Sequence, residues 1–341
     1  MRRALATLTA AVVAAALPLV GCDAHESPHE RAAATSATVE PHVLAISVDG
    51  LNVRAIERLG ASRAPTFQRL LDEGAGTLNA RTELEQTVTL PNHTGMLTGR
   101  RIAAPKGGHG VTWDDDRRSM TVQKAAGRPV SSIFTVVHES GGSTALYTTK
   151  EKFSLFERSW PKGIDTFTVD ENQKRLVSLV RADLGDGAPT FTFLHVSLPD
   201  RNGHAYGGMS ARYLGAVKRT DAQLGTLLDA VAGSAVTVVL TADHGFETGA
   251  TEHSARRDIE NYRIPFLVWG AGVDHGDLYA MNPTFRDPGT RRPTYAGRQP
   301  VRNGDLANLA ATLLGLDAVP GSTLDADQSL VVSSGTNGST G

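Results

Sequence analysis

The sequence predicts an α/β domain with a mostly parallel central sheet and helices on both faces, a three-layer sandwich. Three observations carry that prediction. Short β-branched runs alternate with amphipathic stretches, the pattern of parallel strands joined by crossover helices. A chain of 341 residues, 40% of them hydrophobic, is long enough to bury a large core. No internal repeat is present, which excludes a solenoid or propeller.

Taken in order, the apolar runs predict buried strands over 42–48, 145–149, 190–196, 236–241 and 264–269. Amphipathic stretches predict helices over 64–73, 91–97, 130–139, 172–184, 211–231 and 305–314, the last opening on Asp305 as N-cap.

The two ends read differently. Met1-Arg2-Arg3, an apolar Ala/Val/Leu stretch to Val20, then Gly21 and Cys22 have the zones of an export signal, and the stretch is too short and Ala-rich for a membrane span. Leu19-Val20-Gly21-Cys22 resembles the bacterial lipobox, which makes Cys22 the lipidation site, residues 1–22 the signal, and the extracytoplasmic face of a bacterial membrane the location. Cys22 is the only cysteine, so no intramolecular disulfide forms. Residues 23–41 read as a flexible tether, 42–318 as the catalytic domain and 319–341 as a frayed tail. The net charge of -2, without long runs of one sign, excludes an electrostatic grip on nucleic acid; contact with a membrane is expected through the lipid anchor only.

Three strands lead into an acid: Val48 into Asp49-Gly50, the 190–196 run through Leu198-Pro199 into Asp200, and Thr241-Ala242 into Asp243-His244-Gly245. Carboxyl ends of parallel strands share one edge, so the three acids converge. Clustered carboxylates repel and shift upward in pKa unless cations neutralise them. His204, four residues after Asp200, and His253, nine after His244, complete a ligand set. Mixed Asp/His ligation without Cys suits zinc, and also manganese. The segment Thr87-Val88-Thr89-Leu90-Pro91-Asn92-His93 offers a nucleophile. Pro91 suits a first helical turn, which makes Thr89 or Leu90 the cap and sets the Thr89 hydroxyl beside unpaired backbone N–H groups; Thr87 is its competitor. Coordination to a divalent cation favours the alkoxide.

These residues resemble the type I phosphodiesterase and nucleotide pyrophosphatase branch of the alkaline phosphatase superfamily, over roughly residues 42–318. The motifs that match are Ser47-Val48-Asp49-Gly50, Thr89 to His93 with Thr98-Gly99, and Thr241 to Gly245 through Thr251-Glu252-His253-Ser254 to Ile264-Pro265-Phe266. Trp269 to Val273 and the segment from Asp305 to Leu316 also fit. The resemblance implies an alkaline phosphatase-like fold and two divalent ions. One ion would be held by Asp49, Thr89, Asp243 and His244, the other by Asp200, His204 and His253, with Thr89 as nucleophile. It implies a phosphoryl-contacting Asn after a His-Gly pair, where this chain has Asp114 after His109-Gly110. Asp114 is thus a tentative substrate contact whose charge opposes a phosphate. His195 and His138, inside a strand and a helix, read as satisfied histidines rather than ligands.

The reaction implied is attack of Thr89 on phosphorus in a small phosphorylated substrate, a nucleotide or other diester, followed by hydrolysis of the phosphothreonine. The alternatives are a phosphomonoesterase or phosphonate hydrolase on the same metals, for which Arg100, Arg101 or Arg201 could supply the extra positive charge, and a ligand-binding lipoprotein of weak activity. The lone Cys in the signal disfavours a sulfatase, and export disfavours a phosphosugar mutase.

Overall fold

Eight strands form one sheet: β1 (His42–Val48), β2 (Ala75–Arg81), β3 (Thr144–Thr148), β4 (Thr166–Val169), β5 (Phe191–Val196), β6 (Val236–Thr241), β7 (Arg263–Gly270) and β8 (Gly276–Asp277). The computed structural model describes residues 40–255, 258–326 and 328–333. The expected signal segment with Cys22 and nearly all of the expected tether lie outside the described residues. No helix of the described residues is long and apolar enough to cross a membrane.

The strand order is β4-β3-β5-β1-β6-β7-β2-β8, and β7 alone runs antiparallel to its neighbours. The three central strands β5, β1 and β6 are buried on both faces, as their continuous apolar runs require. Helices Pro65–Glu73, Gln173–Gly185 and Ala211–Val231 pack together, as do Thr89–Thr98, Ile133–Glu139 and Leu306–Leu313. The expected mixed, mostly parallel α/β architecture is what the chain adopts.

The parallel register sets the site. Val48 of β1 lies opposite Val196 of β5, and Ser47 opposite Thr241 of β6, so the residues after all three strands emerge at one edge. Asp200 emerges in the first turn of a helix the sequence pattern does not anticipate, Leu198–Tyr206, with His204 one turn on. Strands β2, β4 and β8 are also unanticipated; Gly and Asn dilute β2, and β4 and β8 are short edge strands.

One boundary is corrected. The region from 319 on does not fray at once: Val319, Leu324, Leu330 and Val332 are buried, the Val319 N–H donates to Asn308 Oδ1 at 2.9 Å, and the Val332 carbonyl accepts from the Asp274 N–H at 2.9 Å. Isolated apolar residues among Gly, Ser and Asp carry no periodicity, but each fills a place against the core.

Candidate metal centre and active site

Asp49 enters the site through a turn that requires glycine next. Gly50 has φ +67°, and a Cβ there would lie 3.0 Å from the Asp200 Cα. Each of the three acids has one oxygen held by the protein and one left open. Asp49 Oδ2 accepts from His195 Nε2 at 3.0 Å and pairs with Lys150 Nζ at 2.5 Å. Asp200 Oδ2 accepts from Lys150 Nζ at 2.8 Å. Asp243 Oδ1 accepts the backbone N–H groups of Gly50 and His244, at 3.1 and 2.9 Å. The other oxygens, Asp49 Oδ1, Asp200 Oδ1 and Asp243 Oδ2, are buried and have no hydrogen-bond partner among the described residues.

Those open oxygens face imidazole nitrogens whose roles are fixed from behind. The Nδ1 atoms of His204, His244 and His253 lie at 2.8, 2.8 and 2.6 Å from the carbonyls of Thr251, Gly245 and Thr87, so each donates there and turns Nε2 into the site. His244 Nε2 is 3.5 Å from Asp49 Oδ1 and 3.3 Å from Asp243 Oδ2. His204 Nε2 is 3.3 Å from Asp200 Oδ1 and 3.2 Å from His253 Nε2, which is itself 3.6 Å from Asp200 Oδ1. Unpartnered buried carboxylate oxygens and inward-facing imidazole lone pairs are the donor set of a divalent cation, and a buried site of this kind is costly without one. Asp49, Asp243 and His244 could hold one ion, and Asp200 and His253 another with either His244 or His204 beside them, His204 by its distances to Asp200 and His253.

The segment expected to carry the nucleophile is built by Asn92. Its amide donates to the carbonyls of Gln86 and Val88, both at 2.9 Å, while its Oδ1 accepts from the Glu83 N–H at 3.0 Å and from the Thr82 hydroxyl. This staples the bend before helix Thr89–Thr98, which ends at Gly99 in the left-handed region, φ +62°. Asn303 Nδ2 donates to the Asp243 carbonyl at 3.1 Å, tying the second acid to the same bend. The helix cap is Val88, not Thr89 or Leu90, because Thr89 already has helical geometry. Thr87 is excluded as a free hydroxyl: its Oγ1 donates to the His253 carbonyl at 2.5 Å. Thr89 is buried, with Lys150 Nζ 3.4 Å from its Oγ1.

Two of the first three residues of this helix, Leu90 and Pro91, offer no free N–H, and Thr89 keeps its own. Pro91 has none, and the Leu90 N–H donates to Asp114 Oδ1 at 2.9 Å. Asp114, the tentative phosphoryl contact, is turned instead to that amide and to Lys152 Nζ, 2.7 Å from its Oδ2. A carboxylate is favoured at a helix N-terminus, and the lysine offsets its charge.

The electrostatics differ from simple mutual repulsion of acids. Burial raises the Asp243 carboxyl well above its usual range, and Asp49 beside it adds to this. For Asp49 and Asp200 burial is the largest cause and acts the same way, but Lys150 and the neighbouring histidines together outweigh it and both stay below the usual range. Burial would lower Lys150; Asp49 and Asp200 hold it above its ordinary value. Burial pushes His253 down to about 3, whereas the Asp200 carboxylate beside it draws His204 up to about 9, so a cation entering there displaces a proton.

Two residues of the site carry no mark in the sequence. Lys150, just after β3, is one, since a lysine after a strand gives no signal of burial. His195 is satisfied as expected, by Thr148 Oγ1 at 3.0 Å on Nδ1, but its other nitrogen orients Asp49. Arg100, Arg101 and Arg201 are engaged elsewhere: with the Gly107 and Pro320 carbonyls, with Glu85, and with the Glu171 and Thr149 carbonyls.

Fold and site together define a member of the alkaline phosphatase superfamily. The chain belongs to the type I phosphodiesterase / nucleotide pyrophosphatase family, whose sequence model matches residues 43–289. It is 30% identical over 165 residues to GPI ethanolamine phosphate transferase 1 of Yarrowia lipolytica, covering 45% of this chain and 16% of that one. It is 26% identical over 231 residues to human ectonucleotide pyrophosphatase/phosphodiesterase family member 1, covering 62% of this chain and 24% of that one. The chain thus spans no more than a quarter of the length of these curated relatives. Among solved structures, murine ectonucleotide pyrophosphatase / phosphodiesterase 5, an inactive form in complex with AMP, superimposes with a TM-score of 0.61 at 13% identity, over 82% of this chain and 96% of that one. A 2-O GAG sulfatase reaches 0.61 at 15% identity, over 83% and 72%. At such identities the likeness is one of fold.

Proposed function

We propose that this chain hydrolyses phosphoric esters, diesters or nucleotide pyrophosphates foremost, with Thr89 as nucleophile and two divalent cations, zinc or manganese, as cofactors. The observation that carries the reading is the set of three buried, open carboxylate oxygens facing three imidazole Nε2 atoms beside the Thr89 hydroxyl. Asp49, Thr89, Asp243 and His244 would hold one ion, and Asp200, His204 and His253 the other. When bound, the ions favour the Thr89 alkoxide and offset charge building on the phosphoryl and leaving oxygens.

The residues do the rest. Asn92 and the Val88 bend fix Thr89 so that its Oγ bonds to phosphorus as the bond to the leaving alcohol or nucleotide breaks. Burial keeps bulk water from Thr89. The proton that Thr89 loses leaves with the alcohol or nucleotide; water then adds to phosphorus as the Thr89 Oγ–P bond breaks, its hydroxyl staying on phosphorus and its other proton returning to Thr89 Oγ. His195 and the two backbone amides on Asp243 hold the acids in place throughout. Assay of bis-p-nitrophenyl phosphate hydrolysis with zinc, with manganese and with chelator tests the reading. Metal-dependent turnover supports it, and a chain inert on every phosphoric ester with both metals loaded ends it.

A second reading follows from the relatives named ethanolamine phosphate transferases, in that an alcohol could replace water as acceptor. Adding ethanolamine to the assay separates the two: a phosphorylated amino alcohol among the products marks transfer, and inorganic phosphate or a simple monoester marks hydrolysis. We also propose that Cys22 carries a lipid anchor, which Cys22→Ser would abolish by moving the protein out of the membrane fraction with turnover retained. Membrane association unaffected by that substitution would refute it.

A further inference from the structure

Lys150 places all three donors of its ammonium inside the site: on Asp49 Oδ2 at 2.5 Å, on Asp200 Oδ2 at 2.8 Å, and toward Thr89 Oγ1 at 3.4 Å. It takes the outer oxygen of each acid and leaves the inner one, Asp49 Oδ1 and Asp200 Oδ1, open toward the imidazoles. The ammonium therefore does not compete for the cation positions and belongs to the loaded site as well. Its third donor points to the atom that receives the phosphoryl group.

The surroundings leave this contact little company. Two of the first three residues at the helix start offer no amide to a ligand, since Leu90 is bonded to Asp114 and Pro91 has no N–H, which leaves that of Thr89. The Asp114 charge is cancelled by Lys152, and the arginines near the motifs are bound to carbonyls or to Glu85. The Lys150 ammonium lies beside the Thr89 hydroxyl, so each further negative charge on a phosphoryl group brought to Thr89 gains from it.

We propose that Lys150 is a substrate-contacting residue that binds a non-bridging oxygen of the transferring phosphoryl group and raises turnover of dianionic phosphoryl groups, those of phosphate monoesters or phosphonates, relative to that of diesters. The inference rests on the phosphoryl-transfer reading of the same site. It narrows the preference for diesters without reversing it, because the ammonium beside Thr89 favours the more highly charged phosphoryl group.

The experiment compares native protein with Lys150→Met, each loaded with zinc, on p-nitrophenyl phosphate and bis-p-nitrophenyl phosphate. Elemental analysis and calorimetric binding of inorganic phosphate are run alongside. The expected result is unchanged metal content, phosphate affinity lower by on the order of 30-fold or more, and kcat/KM for the monoester falling at least tenfold further than for the diester, as for a lost charge-assisted hydrogen bond of about 2 kcal/mol. Equal losses on both esters with unchanged phosphate affinity would overturn the proposal. If the methionine variant does not retain zinc, Lys150→Arg decides. A monoester-to-diester ratio within about threefold of native supports a charge contact, and a ratio that collapses while zinc is retained overturns it. Native protein inert on both esters would end the hydrolase reading, while the phosphate-binding comparison still decides for or against Lys150.

Discussion

Asp114 Oδ1 accepts the Leu90 N–H at 2.9 Å, so a carboxylate from a distant loop serves as the cap that Val88, at the cap position, has no polar side chain to provide. Asparagine keeps that acceptor, whereas alanine removes it. Asp114→Asn is therefore expected to change monoester and diester turnover by less than about threefold, under 1 kcal/mol. Asp114→Ala is expected to destabilise the protein by about 1 kcal/mol. Paired kinetics and denaturant midpoints check both, and a large gain in monoester turnover for the asparagine variant would show that the charge faces substrate.

Thr87 and Thr89 divide the work of the segment between them. Thr87 braces His253 through its hydroxyl and its carbonyl, and Thr89 presents the hydroxyl beside Lys150. Thr89→Ala is expected to keep the fold and the metals while lowering turnover on the order of 10³-fold or more. Thr87→Ala is expected to cost about 1 kcal/mol of stability and to leave most turnover. Kinetics of the two variants decide, and a dead Thr87→Ala beside an active Thr89→Ala would move the nucleophile by two residues.

Much of this arrangement is legible in the amino-acid sequence, for a physical reason. Central parallel strands must be apolar throughout, so 42–48 and 236–241 agree to the residue with β1 and β6, and the acids that follow them can share only one edge. What stays hidden depends on partners far along the chain. Lys150 looks like any lysine after a strand until Asp49 and Asp200 close around it. His195 looks like core until its Nε2 is found on Asp49. The helix Leu198–Tyr206 is short and holds both Pro199 and Gly203, so its periodicity is weak; Gly203 is there because a Cβ would lie 2.4 Å from the Phe246 ring.

Glu83 gives the protein a pH dependence outside the metal centre. It is buried, its Oε1 lacks a partner among the described residues, and burial raises its carboxyl from 4.5 to about 7. The fold therefore favours the protonated form. The stabilisation is fully present below the unfolded value near 4.5 and is lost as pH rises through about 7. Between pH 4 and pH 8 this amounts to about 3 kcal/mol. Glu83→Gln, uncharged at every pH, is expected to remove that part of the slope. Denaturant midpoints of both proteins across the range check it, and parallel curves would contradict the assignment.

The proposed function requires two divalent cations between the open oxygens of Asp49, Asp200 and Asp243 and the Nε2 atoms of His204, His244 and His253. Elemental analysis of protein purified in a state that turns over a phosphoric ester tests it most directly. About two divalent ions per chain are expected, about one in His253→Ala, and none after chelation, with turnover lost in step. Protein that carries no divalent ion and still turns over substrate would contradict it.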